Sequence, residues 1–344
     1  MFILTLFFGK IHKLCEKMVN SLNKNFYNTV LSQAFSPCGN LLVVGDIFGA
    51  IHIFLLKKIL NSENNLSKEE LTPKFCHTVK EDLQINSLLS TQTHLIVGCV
   101  GEVIGYTWRN LKANKFTQAW TIELPENKDG FNKTDVNCMI LNEENGQLYA
   151  GCGDNNIYVF DLETRKLLKT LDKHKGYIHA ISTINNELVS GGEDGLMNIW
   201  DLKTTKVVHK IEPSTDSKVA RPNLGNWIGA VSANEDYILC GGGVRLSLWH
   251  YRFLSNFTVY PIDDQGIHVA EIYDDKILAG GRSRLFYHMN FVGDMITEIP
   301  TSSVTTYSAM HQDSPSKILT IAGSSPKIDI CSNFMYRDQQ LSLY

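Results

Sequence analysis

The chain has 344 residues, 43% hydrophobic and 20% charged, enough apolar residues for a large core and too few charges for a disordered chain. Its 32 basic and 36 acidic residues leave a net charge of −4, which argues against a broad nucleic-acid-binding face but not against a local basic patch. Its eight cysteines (Cys15, Cys38, Cys76, Cys99, Cys138, Cys152, Cys240 and Cys331) form no Cys-x-x-Cys pair. They are expected to be small buried thiols of a reducing compartment, and neither zinc ligands nor disulfides.

The opening MFILTLFFG is apolar for nine residues, too short to span a bilayer. It lacks the basic start and small-residue cleavage site of a signal peptide, and Met18 offers a second start. Over residues 9–22, Ile11, Leu14, Cys15, Met18 and Leu22 recur at helical spacing opposite His12, Lys13, Glu16 and Lys17. This predicts a short amphipathic helix, either a lid on the rest of the molecule or a docking helix for a partner.

A different pattern then sets in and repeats seven times. Each unit has one apolar strand, a second that ends on glycine, a tight turn, and a third that ends on an aromatic or other apolar residue. The second-strand signal reads LLVVGDIFGAIHIF, LIVGCVGEVIGYTW, LYAGCGDNNIYVFDL, LVSGGEDGLMNIWDL, ILCGGGVRLSLWH, ILAGGRSRLFYHM and ILTIAGSSPKIDIC. The marker glycines are Gly45, Gly98, Gly151, Gly191, Gly241, Gly280 and Gly323, spaced 39–53 residues apart. Longer units carry insertions. Residues 57–72 are expected to be a mobile polar loop, and 123–135 and 212–226 are two further excursions. The tail from residue 334 is expected to supply the outer strand of the last unit, the alternative being that residues 26–29 cross over to do so.

Residues 171–202 hold the most regular unit. His174 sits in a polar loop, Ser190 precedes a Gly-Gly strand end, Asp194-Gly195 makes a hairpin turn, and Trp200-Asp201 closes the third strand. This order of His, Ser, Asp and Trp resembles a WD-type repeat, apart from Lys173 where a glycine is usual. The resemblance implies an all-β, seven-bladed WD40 β-propeller over residues 26–344, preceded by an extension with a short helix over 1–25. It also implies a structural tetrad in which Asp194 accepts from His174, His174 meets Ser190, and Ser190 meets the Trp200 indole N–H. A hydrolase triad is the rival reading of Ser, His and Asp, but Ser190 lacks the Gly-x-Ser-x-Gly elbow.

Other chemistry is missing from the sequence. There is no Walker loop, dinucleotide fingerprint or His-Glu-x-x-His, so neither a metal nor a cofactor is expected, and the chain is read as no enzyme. The glycine runs at 241–243 and 280–281 are not followed by helices, and turn chemistry is their expected role. Asp263-Asp264, Asp274-Asp275 and Glu143-Glu144 read as solvated turn residues. Arg245, Arg282 and Arg284 are candidates for a small basic rim.

Segments 36–54, 175–202, 221–232 and 240–250, in this order and spacing, resemble the WD-repeat subunit 6 family of the THO complex. So do the N-terminal helix and the Tyr336-Arg337 start of the tail. The most specific stretch runs from Arg221-Pro222 to Trp227-Ile228-Gly229, which a generic WD blade does not require. The resemblance implies a non-enzymatic nuclear scaffold of the assembly that couples transcription and splicing to mRNA export. The implied partners are the coiled-coil THO subunits numbered five and seven, with a role in pairing THO assemblies and only indirect RNA contact; no membrane is implied. Arg221, Pro222 and Trp227 are candidate partner-binding residues, Arg and Trp being frequent interface anchors. Trp227 has a second reading, as the start of the first strand of blade five packed between blades. Two rival functions are a substrate receptor of a cullin-type ubiquitin ligase and a direct RNA-binding propeller.

Overall fold

The computed structural model describes residues 24–60, 66–126, 133–262 and 265–344. It contains seven four-stranded antiparallel sheets, each with its strands in sequence order. Blade one is Val30–Phe35, Leu41–Asp46, Ala50–Leu55 and Phe75–Thr78. Blade four, the regular unit, is Ile178–Ile184, Glu187–Gly192, Met197–Asp201 and Lys206–Ile211. The sheets form a seven-bladed propeller. The helix expected over residues 9–22 lies outside the described residues. No described helix is long and apolar enough to cross a membrane.

The burial of each strand follows from its place in the blade. Second strands such as Leu41–Asp46 are buried at every residue, because both of their faces meet a neighbouring sheet. Outer strands such as Leu167–Leu171 are exposed nearly throughout. Between adjacent blades lie seven clusters of buried apolar side chains that close a circle. One joins blades three and four through Tyr149, Ile178, Leu188 and Trp200. Another joins blades seven and one through Val44, Phe54, Ile318 and Ile330. Each fully buried side chain of this size contributes roughly 1.5–3 kcal/mol.

The recurrent glycine is explained by room, not by turn freedom, which corrects the sequence-based expectation. An ideal Cβ on Gly45 would lie 2.6 Å from Ile85, on Gly98 2.7 Å from Val136, and on Gly151 2.7 Å from Ile178. On Gly191 it would lie 2.5 Å from Ile228, and on Gly241 2.9 Å from Ile267. In each case the β-branched residue that begins the next blade sits where a side chain would go. The same crowding explains the glycine runs: a Cβ on Gly281 would strike the Gly266 carbonyl at 1.7 Å.

Closure comes from the tail. Gln339–Ser342 pairs antiparallel with Lys327–Cys331 as the outer strand of blade seven. The described parts of the insertion at 57–72, residues 57–60 and 66–72, differ from their expected role as a mobile loop. Leu56–Leu60 is a short helix with Leu56 and Ile59 buried. The Leu71 carbonyl accepts from the Ser342 amide at 3.0 Å, and the Ile59 carbonyl accepts from the Gln339 side chain at 3.3 Å. The described parts of the insertion therefore clasp the closing strand.

The seven cysteines among the described residues are free thiols. Cys38 and Cys76 are exposed, contrary to the expectation that all are buried.

Candidate functional site

The polar quartet of blade four is a continuous chain of hydrogen bonds. The Trp200 indole N–H donates to Ser190 Oγ at 2.8 Å, and Ser190 Oγ lies 2.7 Å from His174 Nε2. His174 Nδ1 lies 3.0 Å from both Asp194 oxygens. Burial holds His174 below its ordinary pKa despite the neighbouring carboxylate, so the ring is neutral at pH 7. A neutral ring with Nδ1–H donated to Asp194 leaves Nε2 to accept from Ser190, and every group is satisfied. Ser190 is wholly buried, so its hydroxyl meets no substrate. The arrangement ties the loop before blade four to its two middle strands.

Other blades solve the same problem with different residues. In blade five Cys240 holds the position of Ser190, and the Trp249 indole donates instead to Ser247 on its own strand at 2.9 Å. In blade one the histidine has moved: His52, on the third strand, lies 2.9 Å from Asp46 at the end of the second. Burial opposes charge on His52, but its hydrogen bond to Asp46, with Cys76 and the Asp46 charge, carries it up to about 9. In blade seven the buried Asp329 accepts from the Ser302 amide at 2.6 Å and from Arg337 at 3.2 Å. A search for the His–Ser–Asp–Trp order passes over these sites, because blades one and seven keep the carboxylate and change its partner, and blade five keeps the indole and changes its acceptor.

The candidate partner-binding residues occupy three settings. Arg221 is half-buried, and its guanidinium donates to the carbonyls of Gly243 at 2.9 Å, Gly242 at 3.0 Å and Val244 at 2.9 Å. Arg245 shares that turn, its backbone amide donating to Val219 at 2.9 Å. Pro222 is exposed beside them. Arg282 and Arg284 flank Ser283 on the exposed turn of blade six. Trp227 lies just ahead of the first strand of blade five, Ile228–Ala233, with its indole N–H donated to Leu224 at 3.0 Å.

Trp227 also borders the mouth of the central channel, a cavity of about 840 Å³. The second residue of each innermost strand faces this mouth. These are Leu31, Asn137, His179, Gly229, His268 and Tyr307, with Asn86 ahead of the strand in blade two. In six blades the register of the innermost pair shifts at this residue, as between Ile178 and Ala180 in blade four. A bulge re-aims a side chain out of the ladder, and here it does so once per blade. At Gly229 a Cβ would lie 2.4 Å from the Trp227 ring, so glycine makes room for the indole. The position was legible as the second residue of each first strand, but nothing in the sequence alone marks that register as channel-facing.

The WD domain, G-beta repeat family model matches residues 165–201, from the end of blade three through the third strand of blade four. THO complex subunit 6 of Drosophila melanogaster is 34% identical over 324 residues, covering 93% of this chain and 91% of that protein. The Danio rerio homolog is 35% identical over 318 residues, covering 91% and 97%. The Homo sapiens protein is 33% identical over 325 residues, covering 93% and 94%. The likeness runs nearly end to end in both members of each pair, and the chain belongs to the THO complex subunit 6 family.

Proposed function

We propose that this chain is a non-enzymatic scaffold subunit of a nuclear THO assembly that couples transcription and splicing to mRNA export. The observation that carries the reading is the family relationship over more than nine-tenths of the chain. Its partners on this reading are the coiled-coil subunits numbered five and seven, and it helps THO assemblies pair. A closed ring supports such a role because it presents its loops on a rigid frame and loses little entropy on binding. The polar quartet of blade four is spent inside the fold, where it stabilises and does not react. Exposed apolar side chains on blades five and six, Phe253, Phe257 and Val292 among them, offer area to a partner.

The test is affinity purification of the tagged full chain from nuclear extract, with mass spectrometry of the recovered proteins. Subunits five and seven are expected in near-equal amount to the bait. Their absence, with a cullin adaptor in their place, would overturn the reading in favour of a ubiquitin-ligase receptor.

A further inference from the structure

The channel mouth carries chemistry that the fold does not use. Four rings form a continuous arc along blades four to seven. His179 and Trp227 lie 6.2 Å apart edge to face, Trp227 stacks on His268 at 5.4 Å, and His268 lies 5.1 Å from Tyr307. Tyr177 stands beside them on the same cavity, 57% exposed. Burial, with the charges of His179 and Arg282, pulls His268 down to about 4, so at pH 7 it is a neutral ring within the arc.

Two carboxylates face the same cavity. Glu193 lies 2.8 Å from His179 Nε2. Asp135 is half-buried, and its carboxylate has no hydrogen-bond or ion-pair partner among the described residues. Burial raises its pKa; Lys133 lines the same cavity but makes no ion pair with it among the described residues. A partly desolvated carboxylate without a partner carries a cost, and a cation brought to it recovers part of that cost.

We propose that this mouth binds a cationic side chain, arginine above all, presented by an extended peptide segment. Aromatic faces attract a guanidinium or ammonium group, and a carboxylate pairs with it directly. The cavity lies within the size range of small-ligand pockets, so it holds a long side chain together with adjoining backbone. A nucleic-acid strand would also stack on the rings, but Asp135 and Glu193 oppose its phosphates. The site is separate from the outer surface of blades five and six suggested above, and the inference stands or falls apart from the assembly role.

The test is a fluorescence-anisotropy titration of the full chain with labelled heptapeptide pools that have arginine at the centre and randomised flanks. Pools with citrulline at the centre, a neutral isostere, are the control. The arginine pool is expected to bind at least about tenfold tighter than the citrulline pool, and Asp135→Asn to weaken it by about tenfold. Trp227→Leu should weaken it similarly, with Tyr177→Ala, an exposed position, as a second aromatic variant should the first fail to fold. Circular dichroism confirms that each variant is folded. The proposal is overturned if neither the arginine pool nor a lysine pool binds at about 1 mM, or if folded Asp135→Asn binds as tightly as the parent chain. Heptauridylate binding more tightly than the arginine pool would overturn it in favour of a nucleic-acid site.

Discussion

Asn28 and Tyr344 meet across the seam of the ring, the Asn28 side-chain amide donating to the Tyr344 hydroxyl at 2.7 Å. The same amide nitrogen donates to Asp46 at 2.8 Å. One side chain thus joins the approach to blade one, the carboxylate that ends its second strand, and residue 344. Around it, Gln33 donates to the Ser308 carbonyl at 3.1 Å, and Leu341 and Leu343 are buried against blade one.

The seam is expected to depend on the tail. Tyr344→Phe removes one partly buried hydrogen bond and should cost about 1 kcal/mol. Removing residues 339–344 strips blade seven of its outer strand and takes away two buried leucines, at a further cost of about 3–6 kcal/mol. Urea midpoints of the two variants measure the difference. Equal midpoints would mean that the ring closes without its tail.

Stability should fall on both sides of an optimum near pH 6.5. His52 is raised to about 9 in the fold, so its contribution is full below pH 6.5 and is lost as pH rises through about 9. His288 is pulled down to about 4 by burial, with a small contribution from Lys276. It stays neutral while the unfolded chain takes up a proton, so stability is full above pH 6.5 and is lost as pH falls through about 4. The His288 shift corresponds to about 3 kcal/mol at its limit. Urea midpoints from about pH 5 to about pH 9.5 test this. His288→Leu should make the acid limb shallower, His268, also pulled down to about 4, supplying the rest, and His52→Gln should flatten the alkaline one.

Much of this architecture could be read from the sequence, because the blade is a local unit. The alternation of strands, a turn such as Asp194-Gly195 and one marker glycine all fall within a single repeat of about 40 residues. What escaped reading depends on contacts between units. The glycines were visible, but their cause lies in Ile85, Val136 and Ile228 of the following blades. The 57–72 segment looks polar in isolation, and its buried Ile59, with Leu56 just before it, matters only because the last strand arrives beside them. The channel mouth draws one residue from each blade, and no local pattern links His179, Trp227, His268 and Tyr307.

The blade-four quartet should behave as a structural unit. Ser190→Ala leaves the Trp200 indole N–H and His174 without their shared partner, at a cost of about 1–3 kcal/mol. Copying blade five, with Ser190→Cys and Asn198→Ser together, should restore part of that loss, because Ser247 serves Trp249 from the corresponding third-strand position. Chemical denaturation of the two variants and the parent chain decides. A double variant no more stable than Ser190→Ala would show that the two blades are not interchangeable.

The marker glycines should resist even a methyl group. Gly191→Ala places a Cβ 2.5 Å from Ile228 and 2.7 Å from Val231, overpacking that costs about 1–3 kcal/mol. Ile228→Ala alone opens a cavity and is also destabilising. Combined, the two should be less harmful than their sum, with a coupling of about 1 kcal/mol or more. Thermal or urea unfolding of the four-member cycle reads the coupling, and simple additivity would refute the packing account of the glycine repeat.

Arg221 separates a folding role from a binding role most cleanly. Its guanidinium satisfies the carbonyls of Gly242, Gly243 and Val244, a fork that lysine cannot reproduce. Arg221→Ala and Arg221→Lys should therefore both lower stability, by about 1–3 kcal/mol for the alanine. Amide exchange over residues 242–246 should quicken in each, since this turn is held to the 212–226 loop by Arg221 and by the Arg245–Val219 hydrogen bond. Recovery of the coiled-coil subunits proposed above as partners should fall only as far as the loop loosens, and recover on cooling. An alanine variant with unchanged exchange that still loses its partners would show instead that the arginine touches a partner directly.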